Sequence, residues 1–204
     1  MRRLSLSPIG TPGAWLRLMR VDRPVGYWLL LWPTWIGLFA APGRFSWRHF
    51  ALFTLGVFVM RSAGCVINDF ADRGFDPHVA RTRTRPIAAG EIAPAAALVG
   101  FALLLLVALA IALMLPKRVL WLAVPTAALA AIYPFTKRWW DYPQLVLGIA
   151  FGWGGLMAWA AEGGALSAPE PWLLLAANLC WTMAYDTAYA LADRADDEKI
   201  GVRS

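Results

Sequence analysis

The run Met60-Arg61-Ser62-Ala63-Gly64-Cys65-Val66-Ile67-Asn68-Asp69-Phe70-Ala71-Asp72-Arg73-Gly74-Phe75-Asp76 decides how the rest of the chain is read. A long apolar segment ends here and an arginine-rich loop begins. On a helix, positions four apart share a face, so Asn68, Asp72 and Asp76 are expected to form one polar stripe. Ionised groups of like charge on one stripe are stable together only if solvated or bridged by a cation. A second stretch repeats the chemistry towards the other end of the chain. It comprises Asp186 and then Asp193-Arg194-Ala195-Asp196-Asp197, with Asp193 and Asp197 again four apart.

Around these stretches the chain is apolar. Its 204 residues are 59% hydrophobic and 16% charged, with a mean hydropathy of +0.53. Soluble domains are nearer half apolar and a quarter charged. The reading is an all-α, polytopic membrane bundle forming one domain over residues 1–204. Six segments approach the ~20 residues needed to cross the hydrocarbon: 25–41, 50–67, 94–115, 120–135, 145–161 and 171–190. Residues 17–23 form a basic amphipathic entry to the first. Pro125 is expected to kink the fourth. Gly148, Gly152, Gly154 and Gly155 permit close helix contact in the fifth. Arg61 falls inside the second, where an arginine must face the bundle interior or reach back to the surface.

Charge patterning gives an orientation. With the N-terminus inside, only Arg44, Arg48, Lys117 and Arg118 fall in outside loops, and every other lysine and arginine except Arg61 lies inside. Such a bias marks the cytoplasmic face. Both acidic stretches and the Lys137-Arg138 pair then share one cytoplasmic mouth. The net charge of +6 is spread through short loops, which argues against a nucleic-acid partner. Arg2, Arg3 and Ser5 precede no apolar core before Trp15, so no secretory signal is expected, and a short mitochondrial transit peptide is the alternative. Cys65 and Cys180 lie in apolar segments and read as small buried residues. The expected site is a bacterial inner membrane, or otherwise the mitochondrial inner membrane.

Magnesium takes oxygen ligands and is commonly held by one or two carboxylates plus substrate phosphates. Two carboxylate pairs at one mouth fit such ions bridging a diphosphate. Arg23, Arg73, Lys137 and Arg138 are candidates to grip the remaining phosphate oxygens. The plainer reading of one such pair is a solvated helix end. Two pairs, with Asn68 inside an apolar run, favour a site. No P-loop or dinucleotide fingerprint is present. His49 and His78 are isolated, which removes a His/Cys metal set and a Ser-His-Asp triad. The run from Arg81 to Pro86 reads as topology and lipid contact. Trp15, Trp139 and Trp140 read as interfacial anchors. A cation channel or transporter lined by the acidic stripes is the alternative class, and it leaves Lys137 and Arg138 without a purpose.

Three elements carry a resemblance: Asn68-Asp69-x-x-Asp72-x-x-x-Asp76, Tyr133-x-x-x-Lys137, and Tyr185-Asp186-Thr187-x-Tyr189-Ala190-x-x-Asp193-Arg194-x-Asp196-Asp197. Together they resemble the UbiA-type intramembrane aromatic prenyltransferases. The Tyr-Asp-Thr-x-Tyr-Ala form points to the hydroxybenzoate branch. The resemblance runs from about Leu16 onward. It implies a helical bundle with a central cavity that opens towards the cytoplasmic side, where it is capped, and sideways to lipid. It also implies magnesium-dependent transfer of a polyprenyl chain to the ring carbon of 4-hydroxybenzoate ortho to the phenol. By motif position Asn68, Asp72, Asp76, Asp193 and Asp197 handle magnesium and diphosphate, and Tyr133 and Lys137 help bind the diphosphate. Asp72 and Asp193 are the catalytic carboxylates, Asp193 assisting at the acceptor. Arg138 or Arg73 is a candidate for the acceptor carboxylate. Naphthoate, homogentisate or haem are alternative acceptors for the same chemistry. Similar proteins continue for about three helices beyond the second motif, so the chain is expected to be a C-terminally truncated form, with an inactive remnant as a further alternative.

Overall fold

The computed structural model describes residues 9–79, 82–136 and 142–200, with side chains at all of these except 78, 130–136, 143, 190 and 192–200. Among the described residues the α-helices are α1 (Pro12–Leu18), α2 (Val25–Ala40), α3 (Trp47–Ala71), α4 (Pro94–Leu113), α5 (Lys117–Thr136), α6 (Pro143–Ala161) and α7 (Glu170–Ile200). A 3-10 turn at Asp76–His78 follows α3. The chain is thus the all-helical membrane protein that its composition predicts. α3, α4 and α6 have the length and apolarity of membrane spans, and α2 is apolar but shorter. α5 has 20 residues and α7 has 31, about 30 and 46 Å at 1.5 Å per residue. α7 therefore outruns the expected segment 171–190 and carries the second acidic stretch on its last turns. α5 runs unbroken through Pro125.

Local chemistry explains where helices begin. Pro12, Pro94 and Pro143 stand in the first turns of α1, α4 and α6, where the missing N–H costs nothing. Thr11 Oγ1 accepts from the Ala14 N–H at 3.2 Å, and Ser46 Oγ from the His49 N–H at 3.3 Å. Both satisfy amides that the first turn leaves open. α4 contains no polar side chain, and Val99, Leu103, Leu106 and Leu113 project from it. A helix apolar all round is either a deep core helix or a membrane span. The exposure decides for lipid.

Small residues draw the bundle together around α6, which packs against α2, α5 and α7. A Cβ on Gly37 of α2 would lie 2.8 Å from the Gly155 Cα of α6. On the other side Asn178 Nδ2 of α7 donates to the Gly148 carbonyl at 3.0 Å. Trp153 Nε1 donates to the Leu122 carbonyl of α5 at 2.9 Å. Close backbone approach is the main source of helix association in lipid. Gly37→Val is therefore expected to destabilise the bundle by about 1–3 kcal/mol through overpacking. The check is the melting temperature in detergent; an unchanged value would mean that α2 and α6 do not approach this closely.

Successive helices alternate in direction, so α3, α5 and α7 all end where α1 lies. The opposite end is tied by Glu162, which is buried just beyond α6. Its Oε1 accepts from the Ser46 N–H at 3.2 Å and meets His49 Nδ1 at 3.1 Å. His49, isolated in the sequence, thus has a structural partner. Gly163 follows at φ +95°, a left-handed residue that closes the helix. Cys65 is buried as expected, whereas Cys180 is exposed on α7, because α7 packs along one side only.

Candidate active site

The site is built on the last three turns of α3. Between residues 61 and 69 Arg61, Gly64 and Asn68 are half-buried. Ser62, Ala63, Cys65, Val66, Ile67 and Asp69 are buried. At 100° per residue Arg61 and Asn68 are within about 20° of one line, and about 10 Å apart along the axis. Asp72, eleven residues after Arg61, continues that line. Asn68 Nδ2 donates to Asp72 Oδ2 at 3.2 Å. The helix stops there: Asp72 is the C-cap, and its N–H donates to the Asn68 carbonyl at 2.9 Å.

Arg61 faces the bundle interior, the first of the two alternatives for an intramembrane arginine. Its guanidinium lies 5.9 Å from the centre of the Phe151 ring of α6. It also fills the place a side chain at Gly26 of α2 would take. Its Nε is buried and has no hydrogen-bond partner among the described residues. A buried donor of that kind is costly unless something accepts from it.

Asp76 departs from the expected stripe, because α3 ends five residues earlier, at Ala71. It turns inward, 5% exposed. Arg85 Nη1 lies 3.0 Å from both of its carboxylate oxygens. The same Nη1 lies 3.2 Å from Asp69 Oδ1, and Arg20 Nη2 reaches that oxygen at 2.6 Å. Asp69 is fully buried. These four charges balance and bind three pieces together: the turn after α1, the end of α3 and the loop before α4. Arg20 adopts φ +62° to do so. Arg17 and Glu91 add a second tie from α1 to that loop. Beneath them Ala14, Leu18, Val66, Ile87, Ile92 and Ala97 form an apolar cluster.

Arg85 is thus an interior residue and not the lipid contact expected of its run. Asp69 and Arg20 were not anticipated as a pair, although the position of Asp69 on the buried face beside Ser62 and Val66 was a legible signal. Removing Arg85 would leave two buried carboxylates short of a partner. Arg85→Ala is expected to cost about 3–5 kcal/mol, seen as a lower melting temperature with α1 and the loop becoming open to protease. Wild-type protease resistance would contradict the role assigned to this network.

The other expected site residues fall as follows. Arg73 folds back over the Phe70 ring at 4.2 Å and donates to the Phe70 carbonyl. Arg23 is exposed, 3.9 Å from Asp22. Neither is brought against Asn68 and Asp72. Tyr133 is on the last turn of α5, and Asp193 and Asp197 are on the last turns of α7; their side chains lie outside those described. Lys137 and Arg138 lie outside the described residues altogether. α2 and α6 each pack against both α3 and α7. Among the described residues no three His, Cys, Asp or Glu side chains cluster into a metal centre. The Asn68–Asp72 pair offers hard oxygen donors at the end of α3. That set suits magnesium, which needs only one or two carboxylates when phosphate supplies the rest.

Residues 30–204 match the UbiA prenyltransferase family. The chain is 55% identical to a 4-hydroxybenzoate octaprenyltransferase from Ectopseudomonas mendocina (strain ymp), over 95% of this chain and 66% of that protein. It is 51% identical to a 4-hydroxybenzoate octaprenyltransferase from Shewanella amazonensis (strain ATCC BAA-1098 / SB2B), over 94% of this chain and 66% of the relative. The chain thus spans about two thirds of the length of these relatives. Among solved structures, the apo UbiA homolog from Aeropyrum pernix K1 superposes with a TM-score of 0.77 at 28% identity, covering 86% of this chain and 66% of the homolog. A UbiA homolog from Archaeoglobus fulgidus, solved bound to GPP and Mg2+, superposes at 0.74 with 20% identity, covering 93% and 67%.

Proposed function

Because the chain belongs to the UbiA prenyltransferase family, we propose that it transfers a polyprenyl chain from a polyprenyl diphosphate to the aromatic ring of 4-hydroxybenzoate, at the carbon ortho to the hydroxyl. The names of its relatives support the acceptor over naphthoate, homogentisate or haem. The observation that carries the reading is the stripe on α3. An oxygen pair suited to magnesium stands at its end, and a guanidinium with an unsatisfied nitrogen stands about 10 Å deeper on the same face.

Asn68 and Asp72, together with Asp193 and Asp197 of α7, would hold magnesium. When bound, the ion supplies the positive charge that stabilises a departing diphosphate. Tyr133, Lys137 and Arg138 at the end of α5 would grip the diphosphate oxygens. Arg61 takes the carboxylate of the acceptor, which turns the hydroxyl end of the ring towards Asn68. This reading prefers Arg61 to Arg73, which folds back over Phe70, and leaves Arg138 as the alternative for that role. The allylic C–O bond breaks, a C–C bond forms to the ring, and Asp193 accepts the ring proton. Apolar helix faces exclude water, so that the allylic group meets the ring and not a hydroxide. The membrane would be the bacterial inner membrane, with the acidic end cytoplasmic as the positive charges suggest.

Membranes containing the chain, given a polyprenyl diphosphate and magnesium, are expected to release diphosphate only when 4-hydroxybenzoate is also present. Chelation should abolish the release. Ion flux across the same vesicles without any release would overturn the reading in favour of a transport protein.

A further inference from the structure

Gly64 lies between Arg61 and Asn68, and no packing contact among the described residues accounts for it. It sits in the middle of α3 with no positive φ. There a glycine costs about 0.5–1 kcal/mol relative to alanine. Gly26, Gly37, Gly100, Gly148 and Gly152 are each pressed by a neighbour that leaves no room for a side chain. At Gly64 a Cβ would meet nothing within 4 Å among the described residues. The open space lies on the accessible face, about 60° round the helix from Arg61. It is about 4.5 Å above Arg61 and about 6 Å below Asn68 along the axis. An unsatisfied cationic donor, a bare stretch of helix backbone and a polar pair therefore follow one another on one face.

We propose that Gly64 is the specificity-determining floor of the acceptor subsite: the flat ring of an aromatic carboxylate lies on its bare backbone, with the carboxylate on Arg61 and the reacting edge towards Asn68. The inference rests on the prenyl-transfer reading and adds to it the residue that sets how large an acceptor can be. A side chain at this position occupies ring volume without touching the diphosphate end. One added methyl group in a tight pocket changes discrimination by about 10- to 200-fold.

The test is a series, Gly64→Ala and Gly64→Leu, on the full chain in membranes and purified in detergent. Gly64→Ala is expected to melt at or above the wild-type temperature, because it favours the helix and clashes with nothing. It should raise the acceptor KM by about tenfold, and Gly64→Leu by more than about a hundredfold. The donor KM should stay within about twofold in both. A wild-type acceptor KM in Gly64→Leu would overturn the proposal. So would acceptor and donor KM rising together with a lower melting temperature, which would mark a purely structural glycine. If wild-type protein makes no product, the transfer reading fails by itself. Equilibrium dialysis with labelled 4-hydroxybenzoate then decides Gly64 separately: binding lost in Gly64→Leu supports the subsite, and equal binding by both proteins overturns it.

Discussion

Prenyl transfer by the Asp72→Ala variant is expected to fall by at least about a thousandfold at saturating donor. Asp72 is the carboxylate at the end of the α3 stripe, held against Asn68. Loss of metal-borne charge at a leaving group removes several kcal/mol of transition-state stabilisation, and about 4 kcal/mol corresponds to three powers of ten in rate. A magnesium titration separates this role from a structural one. Asp72→Asn should need more magnesium for half-maximal rate. Asp76→Asn should not, because Asp76 faces Arg85; its cost should appear as a lower melting temperature. Equal shifts in magnesium requirement for both variants would return Asp76 to the metal and contradict the geometry described above.

Arg61→Ala is expected to lower kcat/KM for 4-hydroxybenzoate by about 10- to 100-fold, almost all through the acceptor KM. A hydrogen bond to a charged partner contributes about 1.5–3 kcal/mol, and an interior shielded from water does not weaken it. The donor KM should be unaffected, since the oxygen pair at the mouth is about 10 Å away. Folding should survive as well, because among the described residues Arg61 has an aromatic neighbour and no paired carboxylate whose burial would become uncompensated. Lysine should restore only part of the loss, lacking the planar fork that matches a carboxylate. The measurement is a pair of saturation curves, one for each substrate. A rise in the donor KM, or none in the acceptor KM, would remove Arg61 from the acceptor site.

Much of this architecture is written in local sequence. Pro12, Pro94 and Pro143 mark helix starts, Thr11 and Ser46 cap them, and the apolar run of α4 is a span on any reading. The stripe from Asn68 to Asp72 follows from helical periodicity alone. What periodicity cannot give is where a helix stops. α3 ends at Ala71, and that single fact sends Asp76 inward and not along the stripe. Pairings across long stretches were equally hidden. Arg20 meets Asp69 across 49 residues, and nothing local distinguishes Arg85 from Arg83, which stays exposed. α7 outruns the segment expected at 171–190 because its apolar run ends before the helix does. Gly64 reads in sequence as one small residue among several. Only the empty space beside it in three dimensions sets it apart from Gly26 and Gly37, whose places are filled.

The central claim is tested most directly by the structure of the product. The chain would be incubated with a polyprenyl diphosphate, 4-hydroxybenzoate and magnesium, and the aromatic product examined by mass spectrometry and proton NMR. The account predicts one prenyl chain on the carbon ortho to the hydroxyl, absent with chelator and absent in Asp72→Ala. Free polyprenol as the sole product, or prenylation that persists in Asp72→Ala, would contradict it.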